Sequence, residues 1–242
     1  MKTIRVPANG LNFEVLESAE PTTGDRVAIC LHGFPEHAFS WRFQAPFLAS
    51  HGYRVWAPNL RGYGASDCPQ RVEDYRAETL IEDVAALIRA AGGRETLLIG
   101  HDWGGVLAWG VAMRYPQLVT RLAILNGPHP AIMLRELRRP RQMMRSWYML
   151  AFRIPVLPEL LIRAGNYRLL TEMMRRTAAD AATFPDHVLA VYRRNAARPG
   201  GLTAMLNWYR ALGSAVPRKF PRIAAKTLIL WGERDPFLGP GL

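Results

Sequence analysis

The sequence has 242 residues, and 49% of them are hydrophobic, which is enough for one large buried core. No apolar run reaches the ~18–20 residues that span a membrane, and the first residues lack the pattern of a secretory leader, so we expect a cytoplasmic protein without a membrane span. The formal net charge of +11 comes almost wholly from arginines that alternate with apolar residues, as on a solvated helix face, and no nucleic-acid recognition motif accompanies them, so nucleic acid is not an expected partner.

An antiparallel hairpin is predicted at the start, because the strand-like segments Thr3 to Pro7 and Leu11 to Ser18 flank Asn9-Gly10, a dipeptide that favours tight turns. Short apolar segments then alternate with helical patterns. The predicted strands are Val27 to Leu31, Tyr53 to Ala57, Thr96 to Ile99 and Leu122 to Leu125, and the predicted helices are Trp41 to Ser50, Tyr75 to Ala91 and Val106 to Tyr115. This alternation predicts an α/β fold with a mostly parallel sheet, helices on both faces and ligands at the carboxyl ends of the strands.

The segment Leu97 to Gly105 has the Gly-x-nucleophile-x-Gly pattern of a sharp strand-to-helix turn. Its central residue is Asp102. A carboxylate is ionised at neutral pH and can attack an electrophilic carbon directly, which gives an alkyl ester that must afterwards be hydrolysed. The pattern therefore predicts chemistry on epoxides or alkyl halides.

Successive amphipathic helices separated by prolines are predicted from Pro128 to Pro217, and they indicate a helical cap inserted into the α/β core. The core signal returns at Lys226 to Gly232, after which Asp235 follows the strand. We therefore divide the chain into an N-terminal core part at 1–127, a cap at 128–217 and a return to the core at 218–242.

Four separate motifs occur in a fixed order. They are His32-Gly33-Phe34-Pro35-Glu36, Arg61-Gly62-Tyr63-Gly64-Ala65-Ser66-Asp67, Gly100-His101-Asp102-Trp103-Gly104-Gly105 and Asn126-Gly127-Pro128-His129-Pro130. In these motifs and their spacing the chain resembles the α/β-hydrolase superfamily, and within it the epoxide hydrolases, over essentially its whole length. The resemblance implies an α/β-hydrolase fold and the opening of an epoxide to a vicinal diol through an ester on Asp102.

The resemblance also implies an oxyanion hole. The backbone N–H groups of Phe34 and Trp103 can point into one pocket, where they would stabilise the oxygen that becomes negative as water attacks the ester. Five neighbouring residues are expected to support the two loops: His32, Gly33, Pro35, His101 and Gly104. Of these, His32 and His101 are expected to hold the loops through backbone hydrogen bonds.

Epoxide opening leaves an alkoxide, which needs a proton donor as the bond breaks. Tyr148 and Tyr209 fall where similar epoxide hydrolases carry two cap tyrosines, and a phenol with a reference pKa of ~10 is protonated at neutral pH. The relay acid of related hydrolases follows one of two strands. Asn126 at the first site cannot be an anion, so Asp235 at the second is expected to take this role.

The chain departs from the family in one respect, because a relay histidine is expected after the acid and no histidine follows His187. The final strand and helix of the fold also have no counterpart. Either the chain is truncated or its catalytic cycle is incomplete, and without the relay histidine we expect slow hydrolysis of the ester on Asp102, so that the ester accumulates. We also expect an open sheet edge at Thr227 to Trp231 that favours self-association.

Two other functions remain open. A haloalkane dehalogenase shares the aspartate and Trp103, but Phe34 supplies no second side-chain donor for a halide, and a fluoroacetate dehalogenase would carry arginine after the aspartate. The second alternative is a different class of function, a non-catalytic protein that binds a small ligand under the cap.

The expected substrates are a small apolar epoxide and water. The cap residues expected at the pocket are Trp147, Met149, Phe152 and Met205. No cofactor or metal is expected, because no histidine pair has ligand spacing.

Overall fold

The computed structural model describes residues 1–18, 25–213 and 220–242. The strands within these residues are β1 (Lys2–Ala8), β2 (Leu11–Glu17), β3 (Arg26–Leu31), β4 (Arg54–Pro58), β5 (Glu95–His101), β6 (Arg121–Leu125) and β7 (Lys226–Leu230). They form one sheet in the order β1-β2-β4-β3-β5-β6-β7. The pairings are antiparallel from β1 to β4 and parallel from β4 to β7, as the alternating pattern predicted.

The first three helices belong to the α/β core: α1 (Gln44–Ser50), α2 (Ala77–Ala91) and α3 (Trp103–Arg114). Alternate side chains of the central strands point to opposite faces of the sheet. Ile29 and Leu31 pack in a core cluster with residues of α2 and α3, whereas Ala28 and Cys30 pack in a second cluster with Ala45 of α1. Helices therefore cover both faces of the central sheet.

A tight turn joins β1 and β2, because Asn9 and Gly10 both have left-handed φ angles of 46° and 75°. Two predicted helices begin later than the sequence suggested, since Ala38–Trp41 and Val72–Tyr75 form short 3₁₀ turns. The third begins earlier, at Trp103 rather than Val106.

The segment between β6 and β7 contains helices and no strand in its described residues. These helices are α4 (Pro130–Glu136), α5 (Pro140–Arg145), α6 (Trp147–Ala151), α7 (Leu157–Arg163), α8 (Arg168–Thr177), α9 (Asp186–Ala197) and α10 (Gly201–Arg210). The predicted boundary between the cap and the returning core, at 217/218, lies outside the described residues. No helix in the described part of the chain is long and apolar enough to cross a membrane.

Candidate active site

Asp102 lies at a sharp turn between β5 and α3, with φ 51° and ψ −119°. A non-glycine residue with positive φ is strained, and here close packing holds the turn. A Cβ atom on Gly104 would lie 2.3 Å from the Leu31 carbonyl oxygen, and one on Gly105 would lie 2.7 Å from the Gly127 Cα atom. Because only glycine fits at these contacts, α3 can begin directly behind the ends of β3 and β6 and the turn can present Asp102 at the carboxyl edge of the sheet.

Two backbone N–H groups meet the Asp102 carboxylate. The Phe34 N–H donates to Oδ1 over 2.8 Å, and the Trp103 N–H also donates to the carboxylate. Gly33 permits this approach, since a Cβ atom there would lie 2.4 Å from Asp102 Oδ1. The structure thus brings together the two residues whose N–H groups the sequence placed in one pocket. Pro35 follows in the same loop, and Phe34, Pro35 and Asp102 line one cavity.

The two histidines of the motifs have different partners. His32 is fully buried and makes backbone hydrogen bonds as expected: its Nε2 accepts from the Leu60 N–H over 3.0 Å, and its Nδ1 lies 3.0 Å from the Gly33 carbonyl oxygen. Burial lowers the pKa of His32 to about 3, so the ring is neutral. The expectation for His101 is wrong with respect to its ring, because Nδ1 lies 3.0 Å from Glu36 Oε2 rather than against a backbone group.

Glu36 and His101 form an ion pair beside Asp102. Burial on its own would lower the pKa of His101, but the charges of Glu36, Asp102 and Asp235 outweigh it and raise this pKa to about 9. Burial likewise opposes the charge of Glu36, while the charge and hydrogen bond of His101 lower the pKa of that carboxyl group overall. At neutral pH the pair is therefore charged, with the imidazolium next to Asp102.

The environment of Asp102 acts on its pKa in both directions. Burial raises the pKa, whereas the His101 charge and the N–H groups of Phe34 and Trp103 lower it, and the net direction is upward. The same groups that hold the carboxylate in place therefore also favour its ionised form against burial.

Tyr148 on α6 and Tyr209 on α10 line the same cavity as Asp102. Their ring centroids are 5.9 Å apart, and the Tyr209 ring lies 5.3 Å from those of Phe34 and Trp103. Burial raises the pKa of both phenols, and the Asp102 charge raises both further. Both phenols therefore keep their protons at neutral pH and lie within electrostatic range of the carboxylate.

Asp235 follows β7 and lines the same cavity. Its Oδ2 accepts from the Asn126 Nδ2 over 2.7 Å, and its Oδ1 accepts from the N–H groups of Phe237 and Leu238 over 2.8 Å each. Asn126 in turn accepts from the Gly232 N–H over 2.8 Å. The two alternative acid positions are thus adjacent, and Asn126 orients the Asp235 carboxylate, a role that the sequence interpretation missed.

The cavity that joins these groups has a volume of about 720 Å³. Apolar side chains of the cap line its other side, among them Met173, Met174 and Phe184. Of the cap residues expected at the pocket, Phe152 lines it. Met205 is instead fully buried in the core cluster, and Trp147 is 65% exposed on the outer surface of the cap. Met149 is half-buried against the same core cluster and is not among the residues that line the cavity. Helical periodicity could not distinguish these four positions.

A comparison with protein families matches residues 27–241 to the model described as alpha/beta hydrolase fold. The chain belongs to the alpha/beta hydrolase fold family. Its homologues include epoxide hydrolase 3 of Xenopus tropicalis, which is 37% identical over 97% of this chain. The chain spans 65% of the length of that relative.

Solved structures of epoxide hydrolases share the same fold. An epoxide hydrolase of Bacillus megaterium in complex with an inhibitor superimposes with a TM-score of 0.88 at 27% identity, covering 98% of this chain and 85% of that protein. An epoxide hydrolase from metagenomes of hot environments superimposes with a TM-score of 0.83 at 34% identity, covering 99% of this chain and 84% of that protein. The fold of this alpha/beta hydrolase thus superimposes on solved structures of epoxide hydrolases over nearly the whole chain.

Proposed function

We propose that this alpha/beta hydrolase attacks small apolar epoxides with Asp102. The observation that carries the proposal is the meeting of one buried carboxylate and two protonated phenols, Tyr148 and Tyr209, in a single largely apolar cavity. A serine nucleophile would need a base before it could attack, whereas an aspartate does not. The similarity to epoxide hydrolases in sequence and in structure supports the same assignment.

In the first step an oxygen of Asp102 forms a bond to an epoxide carbon while the carbon–oxygen bond of the ring breaks. Because the Phe34 N–H already holds Oδ1, we assign the attack to Oδ2 and expect Oδ1 to become the carbonyl oxygen of the ester. The electron pair of the broken bond goes to the epoxide oxygen, which takes a proton from Tyr148 or Tyr209. General acid catalysis of this kind contributes about 10²–10⁴ in rate.

In the second step water attacks the ester carbonyl carbon of Asp102, the bond between that carbon and Oδ2 breaks, and the diol leaves with Oδ2. One proton of the water goes to the departing oxygen, the other restores the phenol that gave its proton in the first step, and the water oxygen stays in the regenerated carboxylate. The N–H groups of Phe34 and Trp103 would stabilise the negative charge on Oδ1, and loss of one such donor typically lowers the rate by about 10²–10³. Asp235 is assigned as the relay acid for a histidine base. Within the described residues its carboxylate is hydrogen-bonded by Asn126, Phe237 and Leu238.

No histidine follows His187 among these 242 residues, and for a protein made of these residues alone we expect the ester to form faster than the diol is released. Loss of a general base lowers the rate of the water step by about 10²–10⁴. The test incubates the chain with styrene oxide and measures intact mass and diol together. An adduct that accumulates supports alkylation with slow hydrolysis, and rapid diol release without an adduct shows full turnover. If neither an adduct nor the diol forms, ligand binding is the only remaining function.

The adduct must also be assigned to the right residue, because Cys68 is a half-buried free thiol and thiols react with epoxides. Peptide mapping should place the modification on Asp102. The Asp102→Asn variant should form no adduct, whereas Cys68→Ser should form it at the original rate. An undiminished adduct in Asp102→Asn would remove Asp102 from the mechanism. Release of bromide from 1,2-dibromoethane in place of epoxide opening would favour the dehalogenase.

A further inference from the structure

The outer surface of the cap carries an unusual number of exposed apolar side chains. We define the cap surface as helix α6, the connecting segment 152–156 and helix α7. On α6 Trp147 and Leu150 are 65% and 66% exposed, and on α7 Leu157, Leu160 and Leu161 are 47%, 59% and 56% exposed. Residues three or four positions apart share one face of a helix, so each helix presents an apolar face to solvent. Such patches mark binding surfaces on soluble proteins.

Firm contacts on the inner side hold this surface in place. The Arg210 guanidinium donates to both Glu159 carboxylate oxygens over 2.7 and 2.8 Å. It also donates to the backbone carbonyl oxygens of Phe152 and Ile154, which lie between the two helices. Arg210 therefore ties α6 and α7 to α10. The exposed leucines are thus the outer side of a fixed helix pair and not a loosely packed core.

The charge around the cap surface has one sign. Between Leu137 and Thr171 the sequence contains seven arginines and one acidic residue. The acidic residue is Glu159, which is buried and neutralised by Arg210. Six of the arginines are exposed: Arg138, Arg139, Arg141, Arg153, Arg163 and Arg168. Arg153 and Arg163 belong to the cap surface itself, and Arg139 pairs with the buried Glu136 over 3.1 Å. Within this described segment no exposed acidic side chain balances them.

Apolar side chains interleaved with arginines fit one kind of partner best. A second copy of the chain placed on this surface would bring like charges together, and nucleic acid would leave the leucines and Trp147 without an apolar partner. A bilayer with anionic headgroups satisfies both features, because apolar side chains enter the acyl boundary by about 5–10 Å while arginines contact the headgroups. We propose that the cap surface binds the surface of anionic lipid membranes.

The position of α6 gives this binding a consequence for the cavity. Trp147 lies on the outer face of α6, and its neighbour Tyr148 lies on the inner face and lines the cavity next to Asp102. A membrane bound at the cap surface would therefore lie one helix thickness away from the cavity. An apolar ligand that partitions into lipid would be concentrated close to its binding site.

The test is sedimentation of the purified chain with phosphatidylcholine vesicles that contain no anionic lipid or about 30% phosphatidylserine. We expect at least about tenfold stronger binding to the anionic vesicles, and we expect this difference to shrink when NaCl rises from about 0.1 to 0.5 M. Equal binding to both kinds of vesicle, or no binding to either, would overturn the proposal.

Matched variants locate the binding surface. Trp147→Gln and the double variant Leu160→Gln with Leu161→Gln should each weaken binding at least about tenfold, and Arg153→Gln with Arg163→Gln should reduce the dependence on anionic lipid. Phe43→Gln removes an equally exposed aromatic side chain from the α/β core and should leave binding unchanged. Thermal unfolding checks that each variant is folded. Equal loss in the Phe43 variant, or a dimer in light scattering that the leucine variants abolish, would refute a lipid partner.

Discussion

The phenols of Tyr148 and Tyr209 belong to different helices but respond to the same carboxylate, since the Asp102 charge raises the pKa of both. In the proposed reaction one phenol protonates the epoxide oxygen while the other hydrogen-bonds to it, so that a single phenol still supplies the proton. We therefore expect Tyr148→Phe and Tyr209→Phe each to slow ester formation by about 10-fold or more, and the double variant to slow it by about 10²–10⁴. Intact-mass time courses with styrene oxide measure these rates.

Tyr192→Phe is the control for these variants. Tyr192 is a buried tyrosine of the cap whose hydroxyl group lies 3.0 Å from the Ser40 hydroxyl group, and it does not belong to the residues that line the cavity. Removal of the Tyr192 hydroxyl group should leave the rate of ester formation within a factor of about two of the rate in the original chain. An unchanged rate in the Tyr148/Tyr209 double variant would exclude the phenols as donors.

The His101–Glu36 pair gives a prediction about pH. His101 has an ordinary pKa of about 6.5 when unfolded and a pKa of about 9 in the fold. A pKa raised by folding stabilises the protein fully below about pH 6.5, and this contribution is lost as the pH rises through about 9. We expect the His101 ring to titrate near pH 9 in an NMR titration, and we expect its pKa to fall in Glu36→Gln.

Glu82→Gln is the control, because Glu82 is a partly exposed carboxylate that pairs with Arg89 and Tyr115. Glu82→Gln should leave the pKa of His101 unchanged. The pH dependence of the melting temperature between pH 7 and 10 should be weaker in Glu36→Gln than in the original chain. A His101 ring that titrates near its ordinary pKa in the original chain would contradict the charged pair.

The hydrogen-bond partners of Glu36 and Asn126 could not be predicted from the sequence. Glu36 and Asn126 both belong to motifs that the sequence interpretation recognised, but their partners lie 65 and 109 positions away. Composition and periodicity report local geometry, and they carry no signal for which nitrogen meets which carboxylate across the sheet. The presence of Asn126 at the end of the strand next to β7 was the available hint, because carboxyl ends of neighbouring parallel strands lie side by side.

At the scale of elements, local signals predicted the hairpin and the positions of the strands along the chain, whereas packing decided several helix ends. The Asn9-Gly10 turn formed as expected because its φ angles are a local property. Helix α3 begins at Trp103 despite two glycines in its first turn, which lower helix propensity. Contacts with β3 and Gly127 require those glycines, so tertiary packing overrides the intrinsic preference there.

The turn at Asp102 gives a prediction about the packing of α3 against β3. In Gly104→Ala the new Cβ atom would lie 2.3 Å from the Leu31 carbonyl oxygen, a backbone atom that cannot move without displacing β3. We expect the free energy of unfolding to fall by about 1–3 kcal/mol, because overpacking of this kind forces backbone shifts. Urea unfolding followed by circular dichroism measures the change.

Gly232→Ala is the matched control for Gly104→Ala. A Cβ atom on Gly232 meets its nearest neighbour, the Asn126 Oδ1 atom, at 3.5 Å, which is an ordinary contact, and the Gly232 N–H remains free to donate. Its effect on the free energy of unfolding should stay within about 0.5 kcal/mol. Equal stability losses in the two variants would show that the close approach of α3 to β3 is not what requires glycine.

At the scale of the whole molecule, β7 is the edge strand of the sheet within the described residues, and its apolar side chains are exposed. β7 pairs with β6 along one side, and Leu228, Ile229 and Leu230 are all half exposed or more. An edge strand with free N–H and C=O groups and apolar side chains is a template for pairing with another strand. Within the described residues β7 pairs only with β6, as expected for an open edge.

We therefore expect the chain to self-associate through β7 in a concentration-dependent way. Ile229→Lys places a charge on the apolar edge strand, where lysine opposes strand pairing, and it should raise the dissociation constant at least about tenfold. Light scattering coupled to size exclusion over about 1–100 μM protein measures the change. Phe43→Lys introduces the same charge at an exposed apolar position of the core away from β7 and should leave association as it is. A monomer at every concentration, or equal dissociation in both variants, would exclude the β7 edge as the contact, because only pairing along that strand makes the two substitutions differ.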